Sequence, residues 1–147
     1  MATIKSYTDL DQSKKLAEIL PLESADYHYI AQGEKSYFYP YSLSSDATKD
    51  YDEEIKYVPC WSLAVLMNLL PSEFTEKGKY SETTYKIHIR KYILTENVDV
   101  YQIAYGNYHW HEDGSCSWSD MINTGEKENL IDAAFQMIIW LKENNKL

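Results

Sequence analysis

The chain holds little that would tie it to a membrane, a nucleic acid or an oxidising compartment. No apolar run in its 147 residues approaches the ~20 needed to cross a bilayer. The opening stretch, MATIKSYTDLDQSKK, has no apolar centre of the signal-peptide kind. Basic residues are few: 14 Lys and Arg stand against 23 Asp and Glu, a net charge of −9. Duplex binding requires a cationic face that displaces condensed counterions, and an anionic lipid surface asks for the same. No Lys/Arg run supplies one, which argues against direct nucleic-acid or membrane contact. Two cysteines, Cys60 and Cys116, are too few for a disulfide framework and suit a reducing compartment. The expectation is therefore a cytoplasmic protein. Five scattered glycines form no phosphate-binding loop, and there is no Gly-x-Ser-x-Gly elbow.

What is present is apolar and aromatic. Hydrophobic residues make up 44% of the chain and fourteen residues are tyrosine, so residues 1–147 can bury one core as a single domain. The pattern predicts a helix from Asp9 to Leu20, with Thr8 as N-cap, Leu10, Leu16, Ala17, Ile19 and Leu20 inward, and Pro21 as its stop. DYHYI and KSYFYPY then flank AQGEK, a hairpin with Gly33 in its turn and Pro40 on an edge strand. Acidic repulsion among Asp46, Asp50 and Glu54 points to a loop from Ser42 to Lys56.

PCWSLAVLMNLLP reads as a short buried helix between Pro59 and Pro71. After a charged connection containing Gly78, TYKIHIRKYIL alternates, with Tyr85, Ile87, Ile89 and Ile93 on one face and Lys86, His88 and Arg90 on the other. NVDVYQIAYG pairs with it through a turn at Glu96 and Asn97. A last helix runs from Leu130 to about Asn144, with Asn129 as N-cap, Asp132 close to a capping box, and Ile131, Ala134, Phe135, Ile138 and Leu141 inward. The expected architecture is α+β in the order α-ββ-α-ββ-α. Its two antiparallel hairpins form one sheet with the three helices mainly on one face.

Three segments, DLDQSKKLAEILPLESADYHY, VPCWSLAVLMNLLP and DAAFQMIIWLKENNKL, together resemble a group of small uncharacterised proteins of gut Bacteroidetes bacteria and their phages or mobile elements. The resemblance implies an accessory role in the cytoplasm. It carries no activity, ligand or catalytic residue.

YHWHEDGSC, residues 108 to 116, is the first candidate for chemistry. On a strand, His109 and His111 project to one side about 7 Å apart. Asp113 or Cys116 could add a third ligand for zinc or copper. HEDGS is also strong turn chemistry, with Trp110 and Trp118 flanking it on facing strands, and the spacing matches no tight zinc signature. A hairpin tip is the simpler assignment. Cys60 is the second candidate, because a helix start after Pro59 would lower a thiol pKa. Its apolar neighbours Val58, Trp61 and Leu63 favour a core cysteine instead. Asp52, Glu53 and Glu54 lack the regular spacing and glycine of a calcium loop. No catalytic residue, metal ligand or cofactor is assigned.

The tyrosines remain. Tyr27, Tyr29, Tyr37, Tyr39 and Tyr41 crowd the first hairpin, and Tyr85, Tyr92, Tyr101, Tyr105 and Tyr108 the second. Tyrosine favours strands whatever its role. If helices cover one face of a sheet, however, alternation leaves an aromatic surface on the other. The expectation is protein–protein binding through that surface, to another protein or as a homodimer. One alternative is a small metal-dependent or thiol enzyme built on His109, His111 and Cys116, or on Cys60. Another is an acidic nucleic-acid mimic whose −9 charge occupies a partner's basic groove; that needs acids lined along one surface, whereas the densest cluster lies in one loop, Asp46 to Glu54.

Overall fold

Asp9, rather than Thr8, starts the first helix. A computed structural model describes residues 5–32, 40–42, 55–95 and 98–147, and in it α1 spans Leu10–Ile19. The Asp9 carboxylate accepts the Gln12 N–H at 2.9 Å, and the Gln12 side chain accepts the Asp9 N–H at 3.1 Å. This reciprocal box satisfies two helix-end donors at once, which a lone hydroxyl at Thr8 would not do. Thr8 is drawn inward instead. Its hydroxyl meets Ser13 at 2.7 Å and accepts the Trp61 N–H at 3.1 Å, and all three residues are buried.

A single turn of 3₁₀ helix at Leu22–Ser24 leads into β1 (Tyr27–Gln32), which pairs antiparallel with both β2 (Pro40–Ser42) and β3 (Ile55–Cys60). The resulting sheet has the order β2-β1-β3. Both edge strands contain a proline, Pro40 and Pro59, at positions where a missing N–H costs no ladder bond. The Gly33 turn, Tyr37, Tyr39, most of the expected acidic loop with Asp46, Asp50 and Asp52 to Glu54, and the Glu96–Asn97 turn lie outside the described residues.

Two expectations change here. The segment expected as a loop up to Lys56 ends in a strand, because Ile55 and Lys56 already pair with Gln32 and Ala31. Cys60 closes that strand rather than opening a helix. Helix α2 is Leu63–Leu69, capped by Ser62, whose hydroxyl accepts the Val65 N–H at 3.4 Å.

The charged connection after Pro71 also holds a strand, β4 (Glu73–Lys77). Its partner β5 (Glu82–Thr95) begins a meander with β6 (Val98–Trp110) and β7 (Cys116–Asn123), in the order β4-β5-β6-β7. Helix α3 (Leu130–Glu143) ends the chain. The three helices and antiparallel pairing of an α+β domain are present among the described residues. The strands form two sheets instead of one, in the order α-βββ-α-ββββ-α. A 14-residue β5 and a 13-residue β6 are about twice the usual strand length, so the long hairpin carries a sheet of its own.

One face of the meander supplies the core. Phe74, Tyr85, Ile87, Ile103, Tyr105 and Ile122 pack against α2 and α3, where Ile131, Ala134, Met137, Ile138 and Leu141 are buried. Each fully buried large apolar side chain contributes about 2 kcal/mol relative to exposure. Phe135, expected inward, is only partly buried, and Met137 takes the deeper position. Asn129 does precede α3, but its carboxamide accepts the Lys5 N–H at 3.3 Å instead of capping the helix. Asp132 binds the Lys5 ammonium at 2.7 Å and Gln12 at 2.8 Å, so α1 and α3 are joined by charge as well as by packing. No helix among the described residues is long and apolar enough to cross a membrane.

Both cysteines are free thiols; Cys60 is fully buried and Cys116 exposed. Burial pushes the Cys60 thiol up to about 11, partly opposed by hydrogen bonds with Thr8 and Ser13. That direction removes thiolate at neutral pH, the reverse of what a nucleophile requires. Ellman titration at pH 8 should therefore detect one reactive thiol in the native chain and two in denaturant. Cys116→Ser should abolish the native signal.

Candidate functional site

The second face of the meander turns away from the helices and carries the side chains of alternate residues. On β6 these are Gln102, Ala104, Gly106, Tyr108 and Trp110; across from them lie Arg90, His88 and Lys86 of β5, and Asp120, Trp118 and Cys116 of β7. Gly106 organises the centre. A Cβ built on it would lie 2.2 Å from the Ser119 carbonyl oxygen and 2.8 Å from the Trp118 indole. The missing side chain lets the indole lie across the β6 backbone. A register shift between Tyr105 and Gly106 adds one residue to β7 there, so Ile122 can face the core while Asp120 and Trp118 face outward.

Trp118 is held on several sides. Its ring meets His88 edge-on at 4.8 Å and Tyr108 edge-on at 5.0 Å. Its indole N–H donates to Asp120 at 2.6 Å. Asp120 also takes a forked pair of bonds from the Arg90 guanidinium, at 2.8 and 2.5 Å, and Arg90 reaches Gln102 at 2.9 Å. The Tyr92 hydroxyl donates to the same Gln102 carbonyl at 3.0 Å. Forked guanidinium–carboxylate contacts fix orientation as well as charge. The hydrogen bond from Arg90 holds the Asp120 carboxyl below its ordinary range, against the opposing effect of burial.

This network leaves Tyr108 and Trp110 standing out of the sheet, 56% and 76% exposed. They border an open groove of about 430 Å³ with Thr84, Lys86, Asn107 and Trp118. The arrangement offers rigid aromatic area on a braced sheet face, a form suited to holding a surface or a flat ligand. A larger hollow of about 680 Å³ lies near α2, lined by Tyr7, Asp26, Tyr27 and Leu63. Its carboxylate, Asp26, already accepts the Ser62 N–H at 2.8 Å.

The other candidates separate. HEDGS is a hairpin tip. The His111 N–H donates to the Ser115 carbonyl at 2.9 Å, Asp113 accepts the Ser115 N–H at 2.9 Å, and Gly114 takes φ +81°. His109 and His111 share the opposite face from Trp110, bonded to Ser119 and Ser117 at 2.9 Å each. Cys116 pairs with Trp110, so its side chain leaves on the other face and the two histidines and the thiol do not converge. No group of three His, Cys, Asp or Glu side chains among the described residues could hold a metal ion.

The tyrosines also sort by face. Tyr85, Tyr101 and Tyr105 point toward the helix side, and Tyr105 is fully buried with its hydroxyl donating to the Pro71 carbonyl at 2.5 Å. Tyr29 is buried in the small sheet, its hydroxyl donating to the Thr8 carbonyl at 2.6 Å. Tyrosine count therefore overstates the exposed aromatic surface. Its main members are tryptophans, placed there by extending the Tyr92-Tyr108 parity of the strands to Trp110 and Trp118. Gly106 inside an alternating run was the available signal for the close approach.

Gly106→Ala should lower stability by about 3 kcal/mol in a urea titration, because backbone and indole must both move. Acid supplies a separate check on the brace. A carboxyl whose folded pKa is depressed stabilises fully above the unfolded value of about 4, and that contribution fades as pH falls through the folded value. Between pH 6 and pH 3 the wild-type chain should lose about 1 kcal/mol more than Asp120→Asn, discounted for partial exposure. Equal losses would show that the Arg90–Asp120 pair adds nothing. Compared with known proteins, the chain matches no protein-family model, no curated protein and no solved structure, so its function has to be read from its own geometry.

Proposed function

We propose that this chain works by binding another protein, through the outer face of the β4–β7 meander centred on Tyr108, Trp110 and Trp118. One observation carries it: two large aromatic side chains stand in solvent on a sheet face where Trp118, Asp120, Arg90 and Gln102 are tied to one another beside them. Exposed aromatics of this kind lose little conformational freedom on binding, which is why Trp and Tyr dominate binding hot spots. The resemblance to small proteins of gut Bacteroidetes and their phages supports an accessory role and suggests where to look for the partner.

The test is affinity capture from a Bacteroidetes lysate with the wild-type chain and with a Tyr108→Ala/Trp110→Ala double variant. Both side chains are more than half exposed, so the variant should stay folded and melt only slightly below the wild type, by the lost Tyr108–Trp118 ring contact. Loss of one hot-spot aromatic costs about 2 kcal/mol, or about 30-fold, so a genuine partner should bind the double variant more weakly by at least that factor. Equal capture by both proteins would sink the proposal. Binding that instead weakens steeply with salt would point to the acidic surface and to mimicry.

A further inference from the structure

We infer that the outer edge of β5, from His88 to Thr95, pairs antiparallel with the same edge of a second copy of this chain. β4 covers β5 only as far as Lys86, and the Ile87 N–H still donates outward, to the Ser72 carbonyl at 3.0 Å. Backbone groups alternate sides along a strand, so Ile89, Lys91 and Ile93 also turn their N–H and C=O groups outward. The neighbouring β6 agrees: Tyr101 and Ile103 bond to Lys127 and Thr124, away from β5. Among the described residues nothing pairs with β5 beyond Ile87 on that side.

The other edges differ: β4 is only five residues long and carries Glu73, Glu76 and Lys77. Pro40 and Pro59 interrupt the two edges of the small sheet, and β7 carries the register shift and presents Ser117, Ser119 and Asp120. The open part of β5 has no proline and is flanked by apolar side chains: Ile89 is 44%, Ile93 73% and Leu94 53% exposed. A lysine on an edge usually repels a second strand. Here the Lys91 ammonium is turned back over β6, 2.8 Å from Asp99 and 5.9 Å from the Tyr101 ring. Arg90 is likewise neutralised by Asp120. An edge that is locally neutral within a chain of net charge −9 favours neither an acidic nor a basic peptide.

Exposed isoleucines, Ile89 and Ile93, stand on either side of the ion-paired Lys91, so the edge is complementary in shape and charge to a second copy of itself. A two-fold axis there sets Ile89 against Ile93 of the partner copy, twice, and closes about six main-chain hydrogen bonds, two per pair. The interface falls below the ~1,200 Å² at which standard specific interfaces begin, so the dimer is weak and grows with concentration. Screening the repulsion between two acidic copies should tighten it.

The experiment is sedimentation equilibrium of the full chain up to about 0.5 mM, the range such a small interface implies, on a Cys116→Ser background. The wild-type edge should give a monomer–dimer equilibrium, tightened by added salt, and Ile93→Lys should weaken it at least tenfold. Lys91→Cys should be joined to its counterpart by a short bis-maleimide, whereas Ser117→Cys, on the far edge, should not. A monomer at every concentration overturns the inference, as does a dimer in which Lys91→Cys fails to crosslink. Trp110→Ala leaves the dimer intact if the edge carries it; a dimer lost on Trp110→Ala assigns self-association to the aromatic face.

Discussion

The missing side chain of Gly106 is the constraint on which both faces of the large sheet depend. On one side its neighbour Tyr105 is buried against the helices with its hydroxyl on the Pro71 carbonyl. On the other, Trp118 lies against the bare backbone, where a Cβ would meet both the indole and the Ser119 carbonyl. The register shift beside Gly106 is what lets β7 serve both faces, since without the extra residue Ile122 and Asp120 could not point to opposite sides. With Trp118 placed, Asp120 has an indole donor, Arg90 has its fork, and His88 and Tyr108 have a ring to stand against. The aromatic platform is thus a consequence of close packing at one glycine.

Much of the core could be read from periodicity. Leu16 in α1 and Leu20 at its C-cap, Leu66 in α2 and the Ile131–Leu141 stripe of α3 are buried as their 3.6-residue spacing demands. The alternation of β5 separates Tyr85 and Ile87 from Lys86 and His88 as expected. It misleads at Ile89 and Ile93, which share the core face but extend past the helices into solvent. Periodicity reports a face and not how far the opposing layer reaches. Strand boundaries were harder. The five residues of β4, EFTEK, carry one large apolar side chain, Phe74, and gain their order from pairing with Tyr85 and its neighbours. Cys60 was misplaced for a related reason: Pro59 reads as a helix start, yet it sits equally well on the outer side of an edge strand.

The candidate site was half legible. HEDGS announced its turn, and the two tryptophans beside it announced facing strands. What no pattern could supply was that the β6–β7 register sends His109 and Cys116 to opposite faces and thereby dissolves the metal constellation. Counting tyrosines pointed to a surface but not to its members. The fully buried tyrosine, Tyr105, differs from exposed Tyr108 only by strand parity and by the reach of α3.

The platform and the β5 edge bear on one another through symmetry. Antiparallel pairing about an axis normal to the sheet keeps equivalent faces on the same side, so two copies joined at Lys91 would present both Trp110 platforms in one direction. The helices of both copies would lie together on the other side. A partner with two acceptor patches would then meet its second site as an intramolecular event, at an effective concentration set by the span between the platforms. A weak edge and a small aromatic contact could in this way give tight, concentration-dependent binding, although neither suffices alone. The same geometry explains why the edge can be left open. On the inferred pairing, each β5 edge would be unpaired and nearly neutral in a dilute monomer, and self-association would grow with local concentration, whether raised in bulk or by a partner that gathers the copies.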